Sequence, residues 1–159
     1  MMEHRVLAEN YFKQGYNCSQ SVAAAFAPDM GLELSDVLKM TAGFGGGFGR
    51  MREVCGAFSG IVFVLGTMYG SDDPAGKTAL YTTVQALAEK YKEKNGANSI
   101  ICRELLGLDK AEGSPVASPR TSEYYKKRPC NELVGLAAEI MEEYIAEHPL
   151  PGREPTTNE

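Results

Sequence analysis

Apolar residues recur along most of this chain at intervals of three and four, the spacing that lines one face of a helix. Val6, Leu7, Tyr11 and Phe12 make a first stripe that ends near Gly15. Asn17 begins a second helix: Asn17 and Gln20 have the spacing of a capping box, with Cys18 as the first helical residue. Val22, Ala23, Ala25 and Phe26 follow, and Pro28 and Gly31 end the run. Val37, Leu38 and Met40 predict a short helix capped by Ser35. An apolar helix is expected to start between Arg52 and Cys55 and to run to Gly70. Leu80, Val84, Leu87, Ala88 and Tyr91 give the clearest amphipathic pattern, stopped by Gly96. Asn98 or Ser99 is expected to cap a shorter helix with Cys102 inside it, ended by Gly107. Leu133, Leu136, Ala137, Ile140, Met141, Tyr144 and Ile145 line a last helix that starts at Pro129-Cys130.

Between these helices lie two irregular stretches. Residues 43–49 hold five glycines in seven positions, and each would cost about 1 kcal/mol relative to alanine in a helix. A tight connection is expected there. Asp109 to Arg128 is polar and carries Pro115, Pro119 and Gly113, which predicts a long loop. No segment alternates with period two. The predicted fold is all-α, an irregular bundle of about six or seven helices without a substantial sheet, in one domain over residues 1–148. A polar tail over residues 149–159, with three prolines, is expected to be disordered.

At 159 residues the chain is long enough to bury a core without disulfides. Its net charge of −5 argues against nucleic acid as a main partner, and Lys126, Lys127 and Arg128 are too small a group to reverse that. The most apolar stretch, Ala57 to Tyr69, is too short to span a bilayer. The N-terminus does not read as a secretory signal, so a cytoplasmic protein is expected. His4 and His148 read as solvated side chains, and no arrangement suggests a hydrolase triad.

The candidate chemistry lies in Cys18, Cys55, Cys102 and Cys130. In a reducing compartment cysteines more often signal metal or redox chemistry than static disulfides. No pair forms Cys-x-x-Cys, so the common zinc-ribbon and thioredoxin spacings are absent. Cys18, Cys55 and Cys130 fall at or near predicted helix starts, where unpaired N–H groups favour a thiolate. Arg50 and Arg52 would add to this at Cys55, and Glu53 would oppose it.

Residues 55–60, Cys-Gly-Ala-Phe-Ser-Gly, match the pattern Cys-Gly-Ala-x-x-Gly at every fixed position. Gly-Tyr-Asn-Cys at 15–18, Gly-Gly-Gly-Phe-Gly-Arg at 45–50, and the single cysteines at 102 and 130 complete a pattern that spans Gly15 to Glu147. In these features the chain resembles the C_GCAxxG_C_C family. The resemblance implies a small bacterial or archaeal protein with four characteristic cysteines, here Cys18, Cys55, Cys102 and Cys130, and a proposed redox role.

Three functions remain open from the residues. The first is thiol–disulfide chemistry with an unknown redox partner, with Cys55 as central thiolate and Cys18, Cys102 or Cys130 resolving it. The second is a tetrathiolate centre, zinc or iron–sulfur, with all four cysteines as ligands. The third is a helical binding module whose cysteines fill core space. Gly56 and Gly60 share one helix face and would let another helix, or a cofactor, approach closely. Gly45, Gly46 and Gly47 could form a nest of N–H groups beside an anionic thiolate or cluster.

Overall fold

The computed structural model describes residues 3–108, 114–127 and 129–151. Among these the fold is all-α. Six helices have eight residues or more: α1 (Glu3–Lys13), α2 (Cys18–Ala25), α4 (Leu34–Thr41), α6 (Gly56–Tyr69), α7 (Gly76–Asn95) and α10 (Cys130–Glu147). Shorter turns of helix are α3 (Ala27–Met30), α5 (Gly45–Phe48), α8 (Cys102–Leu105) and α9 (Ser122–Lys127). Extended pairing among the described residues is limited to one antiparallel bridge, Val54 with Ile101.

Helices α2, α6 and α10 form the centre, with α1 laid against α2 and α10, α4 against α2, and α7 against α6 and α10. Val22, Phe26, Ile61, Val64, Leu65, Tyr91, Val134, Ile140 and Met141 are fully buried between them. Gly60 lets α6 sit close on α2. A methyl group there would lie 2.8 Å from the Val22 Cβ. The shared face of Gly56 and Gly60 is thus used for helix packing against α2.

Several sequence expectations are corrected. In α1 the buried residues are Ala8 and Phe12, while Val6 and Leu7 are exposed. Ser35 is not a cap: α4 starts one residue earlier, after Glu33, with no side-chain cap. Neither Asn98 nor Ser99 is the N-cap of α8; Ile101 is, and Cys102 is the first helical residue instead of an interior one. The Ser99 hydroxyl accepts from the Ile101 N–H at 3.0 Å and donates to Glu104 at 2.6 Å. The expected loop from Asp109 to Arg128 contains α9. The expected tail beyond Gly152, and the side chains of the basic group 126–128, lie outside the described residues. No helix among the described residues is long and apolar enough to cross a membrane.

Candidate functional site

Three cysteines are first residues of helices, and the fourth precedes one. Cys18 opens α2, capped as the sequence predicts. The Gln20 N–H donates to Asn17 Oδ1 at 2.9 Å, and the Asn17 N–H donates to Gln20 Oε1 at 3.0 Å. The Asn17 amide also donates to the Ala42 carbonyl at 2.9 Å, which fixes this helix start to the glycine turn. Cys55 is the N-cap of α6, Cys102 opens α8 and Cys130 opens α10. The Val54–Ile101 bridge brings two of these together. The Cys55 N–H donates to the Ile100 carbonyl at 2.7 Å, and the Cys102 N–H donates to the Glu53 carbonyl at 2.6 Å.

The glycine run is the device that lets these starts converge. Gly46, Gly47, Phe48, Gly49, Arg50 and Arg52 all have positive φ, the left-handed region that non-glycine residues rarely adopt. A methyl group on Gly47 would lie 2.6 Å from the Cys102 Cβ and 2.7 Å from the Glu53 nitrogen, so only glycine fits. Arg52, at φ 60° and 5% exposed, carries its guanidinium inward, where Nη1 donates to Cys102 Sγ at 3.6 Å. The sequence suggested Arg50 and Arg52 as neighbours of Cys55; instead Arg52 turns to Cys102, and Arg50 donates to Ser118 at 3.4 Å.

All four cysteines line one cavity of about 50 Å3, together with Asn17, Gly46, Gly47, Arg52, Gly56, Arg120 and Tyr124 among others. Gly45 stands outside this lining and abuts the Asn17 side chain, and Gly60 faces Val22. Cys55, Cys102 and Cys130 are buried and Cys18 is half-buried; no disulfide joins any of them. The sulfurs have distinct partners. Cys130 is the neighbour that acts most strongly on the Cys18 thiol. Cys55 Sγ lies 3.3 Å from the Tyr91 hydroxyl, and either group can donate to the other.

Burial overrides the helix-start effect that the sequence suggested. Desolvation pushes the Cys55 thiol up to about 11, although the Tyr91 hydroxyl and the Phe58 and Ala57 N–H groups pull the other way. The Cys18 thiol is held well above its ordinary value, first by its hydrogen bond to Cys130, then by burial and by the charges of the other three sulfurs. Tyr91 is raised as well, by burial and by Cys55. A nearby thiol adds negative charge when it ionises, so a cluster of four resists losing more than its first proton.

Among the described residues no group of three or more histidine, cysteine, aspartate or glutamate side chains is placed to hold a metal ion. The four cysteines share one cavity wall.

The sequence reading missed two further residues of the lining. Arg120 and Tyr124 come from the long polar segment, where nothing in local pattern marks them. Phe12 is part of the same cluster. The Arg120 guanidinium stacks 4.3 Å over the Phe12 ring and 4.8 Å over the Tyr124 ring. Tyr91 was visible only as a core position of α7.

Comparison with curated proteins and with solved structures gives no match. A family model does match, over residues 16–144, and is described as "Putative redox-active protein (C_GCAxxG_C_C)". That span takes in all four cysteines, the glycine turn and every helix that packs against the cavity, and the chain belongs to the C_GCAxxG_C_C family.

Proposed function

We propose that this protein carries out thiol–disulfide exchange, with Cys18 and Cys130 as the pair that closes. The carrying observation is one cavity whose wall includes all four cysteines, with Cys130 the neighbour that acts most strongly on the Cys18 thiol. Cys18 is the one half-buried member and meets a partner disulfide R–S–S–R′ first. Its proton leaves to solvent, the thiolate attacks one sulfur, and R′S⁻ departs and takes up a proton. The mixed disulfide Cys18–S–S–R is then attacked by Cys130, which has lost its own proton, and RS⁻ leaves. The two cysteines are oxidised by two electrons, and the partner disulfide is reduced to two thiols. Cys55 is not the opening nucleophile in this scheme, because its sulfur is buried whereas Cys18 is half-buried. The raised Cys18 thiol makes the first step slow at neutral pH and faster as pH rises.

The test is to titrate reduced protein with oxidised glutathione and to map the products by peptide mass spectrometry. The expected result is loss of two thiols per chain and a Cys18–Cys130 cross-link, abolished in Cys130→Ser with the glutathione adduct trapped on Cys18. Retention of all four thiols sinks the redox reading. A cross-link that omits Cys18 or Cys130 sinks the assignment of the pair.

A further inference from the structure

We infer that Arg120 is the size-selecting residue of the thiol site, acting as the latch of a strap, residues 114–124, that closes over the cavity. This deepens the exchange reading above and names a control on the same site.

The strap has little structure of its own. Residues 114–117 are exposed and no helix begins before Ser122. Its internal hydrogen bonds are local, from the Thr121 N–H to the Pro119 carbonyl, from the Val116 N–H to the Ser114 hydroxyl and from the Tyr124 N–H to the Thr121 hydroxyl. Pro115 and Pro119 lack the N–H that pairing would need. It is fastened to the bundle through side chains, Arg120 among them. The guanidinium donates to the Phe12 carbonyl at 3.2 Å and to the Tyr16 carbonyl at 2.9 Å. These are the last turn of α1 and the residue just before the cap of Cys18. The same guanidinium lies 4.3 Å from the centre of the Phe12 ring and 4.8 Å from that of Tyr124. A lighter second fastening is the Arg50 to Ser118 hydrogen bond.

Arg120 and Tyr124 are also part of the cavity wall. One side chain therefore both anchors the strap and covers the sulfurs. The cavity, at about 50 Å3, has room for one or two water molecules and not for a disulfide with its substituents. Exchange then requires the strap to lift, and the contacts of Arg120 set how often it does so. Arginine suits this role because it stays charged at every working pH and presents its donors in a flat fork that can stack and bond at once. Local opening of a segment held by few contacts is the low-energy end of protein motion.

The test uses reduced protein and alkylating reagents, with no oxidant, so it stands apart from whether the thiols exchange. Wild type, Arg120→Ala, Arg120→Lys and Ser118→Ala are labelled with iodoacetamide and with a polyethylene-glycol maleimide, and labelling at Cys18 and Cys130 is read by peptide mass spectrometry. Arg120→Ala is expected to speed bulky labelling on the order of tenfold while iodoacetamide labelling changes less than about twofold. Arg120→Lys should fall between, since lysine keeps the charge but loses the stacked fork. Equal acceleration of both reagents would mean general loosening and would overturn the proposal, as would unchanged bulky labelling. If Arg120→Ala does not fold, Arg120→Lys and Ser118→Ala carry the same comparison: selective acceleration of the bulky reagent supports the latch, and its absence overturns it.

Discussion

Two seams of this bundle are built on opposite principles. Where α6 meets α2, glycines and alanines bring two backbones together, and the contact is apolar and rigid. Where α1 meets α10, the contact is charged. Arg5 reaches Glu9 at 3.0 Å, Glu132 at 3.1 Å and Glu139 at 2.9 Å. His4 lies flat on Phe26 with ring centroids 4.2 Å apart, and its nitrogens meet Glu142 at 2.6 Å and Asp29 at 2.9 Å. His4, which reads in the sequence as solvated, is thus a bridge among α1, α3 and α10. The close seam carries two of the thiols, Cys18 and Cys55, at its mouth. The charged seam tolerates adjustment, since ion pairs depend weakly on exact geometry when partly solvated.

This contrast can be broken first at Gly60. Gly60→Leu should cost about 3 kcal/mol or more in urea unfolding, because the side chain must displace Val22 and the α2 backbone at Ser19. A cost under about 1 kcal/mol would mean that the seam is soft, and the comparison would fall.

The next largest effect is alkaline. The Cys55 thiol ordinarily titrates near 9.0 and does so here at about 11, so between these values the folded state holds a proton that the unfolded state has lost. Stability from this source is complete below about pH 9 and falls as pH rises to about 11, by on the order of 2–3 kcal/mol. Tyr91, also raised, adds to the fall at higher pH. Denaturant unfolding of wild type and Cys55→Ala from pH 8 to 11 should show the slope reduced in the variant. Parallel curves would place the alkaline sensitivity elsewhere.

The charged seam should respond least and with a different pH window. Burial disfavours the His4 cation, but the hydrogen bonds and charges of Asp29 and Glu142 together outweigh it and raise the ring above its ordinary 6.5. The protonated ring is therefore favoured in the fold. Its contribution is present below pH 6.5 and is lost as pH rises through the raised folded value. His4→Gln should cost about 1 kcal/mol at pH 5.5 and less at pH 8.5, by thermal or urea unfolding. A larger cost at pH 8.5 would reverse the sign and sink the assignment.

Much of the fold was legible because helix signals are local. The capping box at Asn17 and Gln20, the stop at Gly96 with φ 76°, and the apolar face of α10 involve residues within a few positions of each other. The α1 stripe failed for a nonlocal reason. Val6 and Leu7 have the right spacing for a core face, but α10 approaches on the side of Ala8, where Gly135 accommodates Glu9 and Arg5. The four cysteines were legible as candidates and three of their positions at helix starts as local structure. Their environment was not. Arg52 lies three residues before Cys55 but turns to Cys102, because a left-handed run of backbone reverses the direction that sequence proximity suggests.

The sequence by itself determined an all-α chain, the helix starts at Cys18 and Cys130, and a glycine-rich turn between helices. Only the tertiary structure decided that four cysteines from four separate segments share one cavity, that Arg120 and Tyr124 help to line it, and that burial raises the Cys55 thiol. The division has one physical cause. Helix formation and capping depend on neighbours along the chain, whereas a thiol's proton affinity depends on the water and charge around it in space.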